Sequence, residues 1–545
     1  MKKWEKTVWC FVILVLFVSV ISYHNVIACK DIIITPPASA GEYSLFLKVR
    51  DPSREGLQVL CRVPQGTSYT YHYPWRNGRP WDFVIRHTFY GVSSQGDVFP
   101  NITKAGMVFT DAGLAFGDAD TLSNWRNPTK NAWDDFDWMR YAYQTADTVD
   151  EAVSLLTSDA VDRLHATGVT ENLFVVGPNK AVVIEADILH YVVKEVSDIL
   201  VMSNYPKDLW RTQLLISLPV SPSYDTTKET WVRQGRVDHL DSLWGIKILS
   251  VNQTSVVAKA VPSFAFRPYG TGEKVVLSLG ERRTIGTYSV TLLAINSTSA
   301  KISLCTAVYA WEQELLNHIQ PLTGHITLQD MMGWSRLHSS DLDGLRPLCE
   351  DANIDEGAMV YRVPKDHANL LSSGWFAANH PCSSIYVPIH ICDDDQYSPY
   401  QSGEAAELSL ELLHKYGHGT LSSSCKGIES VFLFENEVNE LIAHQMIHSG
   451  SNITPFLTNQ DRGMQEQAFL TEQLWLNEPN ASQTITENLW TKNYSSTLIR
   501  MKKAVILFKD FSGSEPSLSI LEKLMHSIEE SQKNQVRLGS IFNQS

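Results

Sequence analysis

The most informative stretch of the chain is residues 29–51, CKDIIITPPASAGEYSLFLKVRD. It predicts two strands, a β-branched run after Cys29 and an apolar run from Tyr43, joined by a turn rich in proline and alanine. The preceding residues predict an export signal, because a basic MKKWEK and an apolar FVILVLFVSVISY lead to HNVIA, which ends in a small residue. Cleavage after Ala28 is expected to leave Cys29 as the first residue of the exported chain.

A first-position cysteine carries a thiol and a free α-amine on one residue. An α-amine has a pKa of about 7.7–8.0, so it can act as the base for its own thiol near neutral pH. This favours an N-terminal nucleophile, but two alternatives stay open. Val-Ile-Ala-Cys also passes as a loose lipobox, in which Cys29 would be lipidated, and the cysteine can also stand at the cut by chance. The β-branched run that follows argues against the lipid, since a lipoprotein cysteine usually precedes a polar tether.

Composition limits the partners and the compartment. The 545 residues carry a formal net charge of −15, which argues against nucleic acid and anionic membranes as partners. No apolar stretch after the signal is long enough to span a bilayer, so we expect a soluble extracellular or cell-surface protein, held at a membrane only if Cys29 is lipidated. Six cysteines besides Cys10 and Cys29 are compatible with up to three disulfides, and no CxxC supports a zinc ribbon. Sequons permit glycosylation at Asn101, Asn252, Asn296, Asn452, Asn480, Asn493 and Asn543.

Strand and helix signals alternate in blocks rather than in regular βαβ units. Residues 29–110 indicate strands, a capping box at Thr148–Glu151 opens a helix, and residues 172–186 predict a hairpin. Two strand blocks around a helical block favour a layered α+β fold. Residues 245–310 are again rich in strands.

From about residue 403 the pattern is helical. EAAELSLELLHKY ends at Gly417, and PSLSILEKLMHSIEES predicts a last amphipathic helix. We expect these helices to pack on the main body, since no linker separates them. The predicted organisation is a signal peptide over 1–28, a catalytic domain over 29–400 and a mainly helical region over 401–545.

Several segments, in order along the chain, resemble the secernin and PepD-type dipeptidase family of N-terminal nucleophile (Ntn) hydrolases. After the cysteine and its Pro-Pro-Ala-Ser turn, FLKVRD (residues 46–51) is similar to the family's Phe-Gly-Lys-Asn-x-Asp strand end. VMSNYP (201–206) looks like a segment shared with choloylglycine-type amidases, and SGWFAANHPCSSIYVPIHI (373–391) resembles a later family segment. The 172–186 hairpin also looks like a pair of family strands.

The resemblance implies a four-layer αββα sandwich with added C-terminal helices, and amide hydrolysis through an acyl-enzyme without metal or cofactor. Dipeptidase activity is the family's best-known chemistry, so a small peptide or N-acyl compound is the expected substrate. An acyltransferase or N-acyl amidase of the same superfamily remains an alternative. So does an inactive, lipid-anchored binding protein, which the departures from the family at Val49 and Thr103 favour. A homo-oligomer is left open.

The resemblance also assigns roles to individual residues. Cys29 would attack the carbonyl carbon, Asp51 would hold the α-ammonium, and Asn204 would donate to the oxyanion. Lys48 or Arg50, which share one face of a strand, would place positive charge near the thiol. Structural alternatives stay open, namely a turn cap for Asp51, an Asn-x-Pro turn for Asn204 and solvated charges for the two cations.

Further positions are weaker candidates. Thr103 stands where the family usually has an asparagine of the active site. Arg233 or Arg236 would match a buttressing arginine, although TWVRQGR by itself indicates a charged helix face. His444 and His448 have the spacing of a zinc-protease motif, but Gln445 replaces the glutamate that such an enzyme needs as base. No metal site is therefore predicted.

Overall fold

The computed structural model describes residues 29–50, 56–72, 80–95, 105–121, 123, 132–209, 226–240, 244–264, 267–268, 274–286, 288–351 and 355–477. The predicted signal peptide, Asp51, Thr103 and the last predicted helix lie outside the described residues. The strands are β1 (Lys30–Ile34), β2 (Tyr43–Arg50), β3 (Gln58–Val63), β4 (Ser68–His72), β5 (Pro80–Val84), β6 (Phe89–Ser94), β7 (Met107–Thr110), β8 (Leu114–Asp120), β9 (Glu171–Val176), β10 (Ala181–Ala186), β11 (Tyr191–Val196), β12 (Ile199–Ser203), β13 (Lys228–Arg233), β14 (Val237–His239), β15 (Trp244–Val251), β16 (Ser255–Phe264), β17 (Arg267–Pro268), β18 (Lys274–Ser278), β19 (Arg282–Ile285), β20 (Tyr288–Ile295), β21 (Ser299–Thr306), β22 (Gly357–Pro364), β23 (Ser373–Ala377) and β24 (Val387–His390).

The α-helices are α1 (Asp135–Tyr143), α2 (Val149–Ser154), α3 (Ala307–Ile319), α4 (Leu328–Trp334), α5 (Ala368–Leu371), α6 (Ser398–Ser402), α7 (Glu404–Tyr416), α8 (Ser422–His448) and α9 (Thr454–Asn477). A π-helix (Leu155–Arg163) continues α2, and short 3-10 helices cover Gln320–Leu322 and Ser339–Leu342. The expected α+β content is therefore present. No helix among the described residues is both long and apolar enough to cross a membrane.

Two antiparallel sheets form the centre of the molecule. The first has the strand order β12-β1-β2-β22-β23-β24, and the second has the order β11-β10-β9-β8-β7-β6-β3. Their facing sides share one hydrophobic cluster, in which the rings of Phe46 on β2 and Phe174 on β9 lie 5.8 Å apart. The side chains of β8 alternate between the two faces of the second sheet. Ala115 and Ala119 belong to the shared cluster, whereas Phe116 belongs to the cluster on the opposite face.

Helices pack against each of the two sheets. Trp138 of α1 and Leu156 of the π-helix share the second cluster with Phe116. On the first sheet, α3 contacts β12, α4 contacts β2 and β22, and α9 contacts β24. Helices are therefore present over residues 404–477, where α8 and α9 contact β24.

A smaller β unit spans β13 to β21. It contains the strand orders β13-β21-β20-β19 and β14-β15-β16-β17, with β18 beside β16. Its apolar side chains, such as Ile246, Val256 and Val290, form a cluster of their own. The strand-rich pattern of residues 245–310 is confirmed, but the separate core was not foreseen.

Local sequence signals explain several boundaries. The side chain of Thr148 accepts a hydrogen bond from the backbone N–H of Glu151, so the predicted helix start is confirmed. The predicted hairpin is β9–β10, and α7 ends at Gly417 as expected. One prediction is wrong: TWVRQGR lies on β13 and the turn after it rather than on a helix, because it pairs with β21.

Candidate active site

Cys29 stands directly before β1, which lies between β12 and β2 in the first sheet. Lys30 pairs with Ser203 on one side and with Val49 on the other. One further step in this antiparallel register places Cys29 opposite Asn204 and Arg50. The hydroxyl of Ser203 donates to the carbonyl oxygen of Cys29 at 2.9 Å, which fixes the backbone there. Three predicted site residues that are distant in sequence therefore converge.

The ammonium of Lys48 lies against the Cys29 thiol. Lys48 pairs with Asp31, so strand alternation places it on the same face as Cys29. The side chain is fully buried and is in hydrogen-bond contact with the thiol. Burial alone would lower the pKa of Lys48, but the charges of Asp31, Cys29 and Asp118 outweigh it and raise that pKa. The ammonium is therefore kept charged beside the sulfur.

Lys48 also reaches the second sheet. Its Nζ lies 3.3 Å from Oδ1 of Asp118 on β8, and it donates to the main-chain carbonyl of the same residue. The neighbouring Gly117 makes this crossing sterically feasible, because a Cβ there would lie 2.6 Å from Cζ of Phe46 and 3.1 Å from Cδ of Lys48. A side chain at residue 117 would push Lys48 away from Cys29.

Asp31 and Asp118 are the acidic partners of Lys48, and no sequence motif predicts either role. Oδ1 of Asp31 lies 3.7 Å from Nζ of Lys48. Burial raises the pKa of Asp31 to about 8, and Lys48 offsets only part of that rise. Burial also raises the pKa of Asp118, against the opposing effects of Lys48 and Arg50. Both carboxyls therefore hold protons more tightly than in water.

More carboxyl groups lie beyond Asp118, on the helix side of the second sheet. Asp120 is exposed at the end of β8 and pairs with the fully buried Glu171 of β9. Burial and repulsion from Asp120 and Asp135 hold the pKa of Glu171 well above its usual range. Asp135, the first residue of α1, has its pKa raised in the same way. Asp118, Asp120, Asp135 and Glu171 together form an acidic cluster, which contacts Lys48 through Asp118 and has Asp120 as its exposed member.

Arg50 is engaged with the second sheet and its helix. Nη1 donates to Oε1 of Gln58 at 2.8 Å, and the guanidinium lies 5.1 Å from the centre of the Phe136 ring. A Cβ at Gly106 would lie 3.4 Å from Nε of Arg50 and 2.9 Å from Cε1 of Phe136, so only a glycine leaves room there. Of the two predicted cations, Lys48 is the one in contact with the thiol.

Asn204 follows β12 directly. Its side chain is largely buried, and its Oδ1 has no hydrogen-bond partner among the described residues. The backbone before it is held by Asn172 on β9, whose Nδ2 donates to the carbonyl of Ser203 at 2.8 Å. The sequence pattern predicts a hairpin around Asn172 but no role for its side chain. The feature that could have indicated this role is an asparagine at an inward-facing position of an apolar strand.

The two arginines predicted as support lie elsewhere. Arg233 and Arg236 are exposed on the smaller β unit, where Arg233 pairs with Ser299. The structure describes no contact between either arginine and Cys29 or Lys48, so the buttressing role finds no support there. No disulfide joins any two cysteines of the described residues, and the expected disulfides stay a prediction.

Comparison with known proteins yields distant structural neighbours. No family model matches the chain, and no curated protein matches it in sequence. A mutant conjugated bile acid hydrolase from Clostridium perfringens is 10% identical with a TM-score of 0.25, over 36% of this chain and 60% of that one. Penicillin V acylase from Agrobacterium tumefaciens is 13% identical with a TM-score of 0.25, over 36% and 61%. A variant of the Clostridium enzyme is 10% identical with a TM-score of 0.34, over 67% and 92%.

The chain thus spans about three fifths of the length of the first two neighbours. Likeness at these scores does not transfer an activity.

Proposed function

We propose that this chain is an exported N-terminal-cysteine amide hydrolase with the αββα sandwich of Ntn hydrolases. One observation carries the proposal: Cys29 directly precedes the Lys30–Ser203 pair of β1 and β12, and the buried ammonium of Lys48 contacts its thiol. Removal of residues 1–28 outside the cytoplasm would free the α-amine of Cys29. The packing of helices against each of two stacked sheets supports this fold.

The reaction follows from the groups present. The α-amine accepts the thiol proton while Sγ of Cys29 bonds to the carbonyl carbon, and the oxyanion receives a hydrogen bond from the amide of Asn204. The C–N bond then breaks, and the leaving amine takes the proton from the α-ammonium. Water, deprotonated by the same α-amine, adds to the thioester, which releases the acid and returns the thiol.

Lys48 acts on the nucleophile in this scheme. A charged ammonium in contact with the sulfur favours the thiolate, which is the reactive form of cysteine. Asp31 and Asp118 keep Lys48 in place on its other side, at 3.7 Å and 3.3 Å.

The proposed substrates are dipeptides. A dipeptide carries a free α-ammonium close to its only peptide bond, and such a group complements carboxylates near the nucleophile. The acidic cluster lies next to Lys48, and Asp120 is its exposed member. This arrangement supports a small cationic amine as the group recognised beside the cleaved bond.

The test compares the processed wild type with Cys29→Ser and Cys29→Ala on a dipeptide panel, with and without an added acceptor amine. We expect hydrolysis by the wild type, a mass increase on Cys29 corresponding to an acyl group, and no turnover by Cys29→Ala. Product formed only with the acceptor amine would identify an acyltransferase instead. No turnover and no acyl adduct, with a lipid on Cys29, would establish the binding-protein alternative and overturn the proposal.

A further inference from the structure

Four side chains with metal-binding atoms meet at a second place in the molecule. They are His338, Cys349, Cys382 and His418, and their ligand atoms all lie within 4.8 Å of one another. Both cysteines are buried and both histidines are half-buried. His338 precedes a 3-10 helix after α4, Cys382 follows β23, and His418 follows α7. The four residues thus come from separate segments, which the fold brings together.

The donor set and its size match tetrahedral zinc. Structural zinc sites are closed by four cysteine or histidine ligands, and Cys₂His₂ is one of the standard sets. Bonds of about 2.0–2.3 Å in a tetrahedron place the ligand atoms roughly 3.3–3.8 Å apart. Sγ of Cys382 already lies 4.0 Å from Nδ1 of His418. Only a small contraction would close the cluster around an ion.

The surroundings of His338 add an independent observation. Its Nδ1 lies 3.0 Å from Oδ1 of Asp351, so that nitrogen is engaged with a carboxylate. Its Nε2 is buried and has no hydrogen-bond partner of ordinary geometry among the described residues. A carboxylate behind one ring nitrogen, with the other nitrogen directed into the cluster, is the usual arrangement of a zinc-bound histidine.

The two sulfurs are suited to a metal as well. Cys349 and Cys382 are 0% and 1% exposed, and their Sγ atoms lie within 4.8 Å of each other. His380 also lies 3.6 Å from Sγ of Cys349, but its Nδ1 is 2.8 Å from Glu356, which engages it in an ion pair.

We propose that His338, Cys349, Cys382 and His418 bind one Zn²⁺ in a closed structural site. With four protein ligands the ion has no open position for substrate, so its role is to join the segments. The competing chemistry is a disulfide between Cys349 and Cys382, which would remove both thiolate ligands. The two outcomes are exclusive and can be distinguished by mass.

The metal would also hold the strand that carries the nucleophile. Glu350 is the neighbour of Cys349, and its Oε1 accepts a hydrogen bond from Nζ of Lys30 at 2.5 Å. Lys30 is fully buried and directly follows Cys29. The proposed site therefore anchors the segment that fixes the start of β1. This consequence adds to the proposed function, whereas the metal site itself does not depend on it.

The experiment measures metal bound by the full chain, produced in reducing, zinc-supplemented medium and then passed through a desalting column. We expect one zinc ion per wild-type chain, and loss of zinc in Cys349→Ser and His418→Ala. Matched controls are Cys61→Ser, on β3, and His414→Ala, on the exposed side of α7, both of which should retain zinc.

Two further measurements test the metal site even if a ligand variant fails to fold. Cobalt(II) added to metal-free wild type should give the absorption of a tetrahedral thiolate complex, and zinc should abolish it. A chelator should lower the Tm of the wild type and of both controls. A wild type without bound zinc, an octahedral cobalt spectrum, or a Cys349–Cys382 disulfide in peptide mass spectra would each overturn the site. The hydrolase proposal would survive any of these results, since Cys29 is tested separately.

Discussion

Nζ of Lys48 on the first sheet lies 3.3 Å from Oδ1 of Asp118 on the second sheet. Lys48 therefore links the second sheet to the nucleophile, because the same ammonium contacts the Cys29 thiol. Buried charges need partners, and here the partners come from β1, from β8 and from the thiol itself.

Lys48→Met should slow the reaction of Cys29 with iodoacetamide at neutral pH by about tenfold, because the thiolate loses its cation. Peptide mapping measures the rate at this cysteine, and half-maximal reactivity should move to higher pH. Lys365→Met, at an exposed lysine paired with Glu42, is the control and should leave the rate unchanged. An unchanged rate in Lys48→Met would exclude the proposed role of the lysine.

Asn204→Ala should lower kcat for a dipeptide by about 10²–10³-fold with little change in KM, since an oxyanion donor acts mainly in the transition state. Steady-state kinetics give the split. Asn252→Ala, at an exposed turn, provides the matched control. A change confined to KM would assign Asn204 to substrate binding instead.

Asp120→Asn should raise KM for dipeptides with a free amino group, while KM for the N-acetylated forms of the same dipeptides stays the same. The reason is the loss of a carboxylate that complements the α-ammonium. Asp366→Asn, also exposed, is the control. If both substrate series respond equally, the acidic cluster does not recognise the amine.

Asp31 should give the fold a pH-dependent stability. Its pKa rises from 3.8 to about 8 on folding, so between these values the folded state binds the extra proton. Stability relative to Asp31→Asn therefore falls as pH rises from about 4 to about 8, at up to about 1.4 kcal/mol per pH unit. Urea unfolding at several pH values measures the difference. Parallel curves for the two proteins would show that Asp31 does not titrate in this way.

Gly117→Ala should destabilise the protein by about 1–3 kcal/mol, because the added methyl group overlaps with Phe46 and crowds Lys48. Gly333→Ala is the control, since nothing lies within 4 Å of a Cβ at that position in α4. That change should be neutral or stabilising through helix propensity. Thermal unfolding compares the two, and equal Tm values would contradict the close approach at residue 117.

Residues 29–51 predict β1 and β2 because β-branched and apolar residues flank a proline-rich turn, and both strands are confirmed. Lys48 and Asn204 were identified through local motifs, and the structure brings both to Cys29. Asp31 and Asp118 were not identified, because their role depends on strand register and on the stacking of two sheets. No local pattern records either relationship.

The proposed zinc ligands show the same limit. A search for closely spaced cysteines fails, since His338, Cys349, Cys382 and His418 stand far apart in sequence. Arg233 and Arg236 show the converse. A loose motif match predicted that they lie near the active site, but the fold carries both on the smaller β unit. For the zinc ligands and for the two arginines, the position in the fold depends on contacts between segments that are distant in sequence.

N-terminal sequencing of the exported, active chain tests whether the α-amine of Cys29 serves as the base for its own thiol. The sequence should begin Cys-Lys-Asp-Ile-Ile, with an unblocked amine on Cys29. An active chain that begins before Cys29, or after it at Lys30, would show that this amine is not the base.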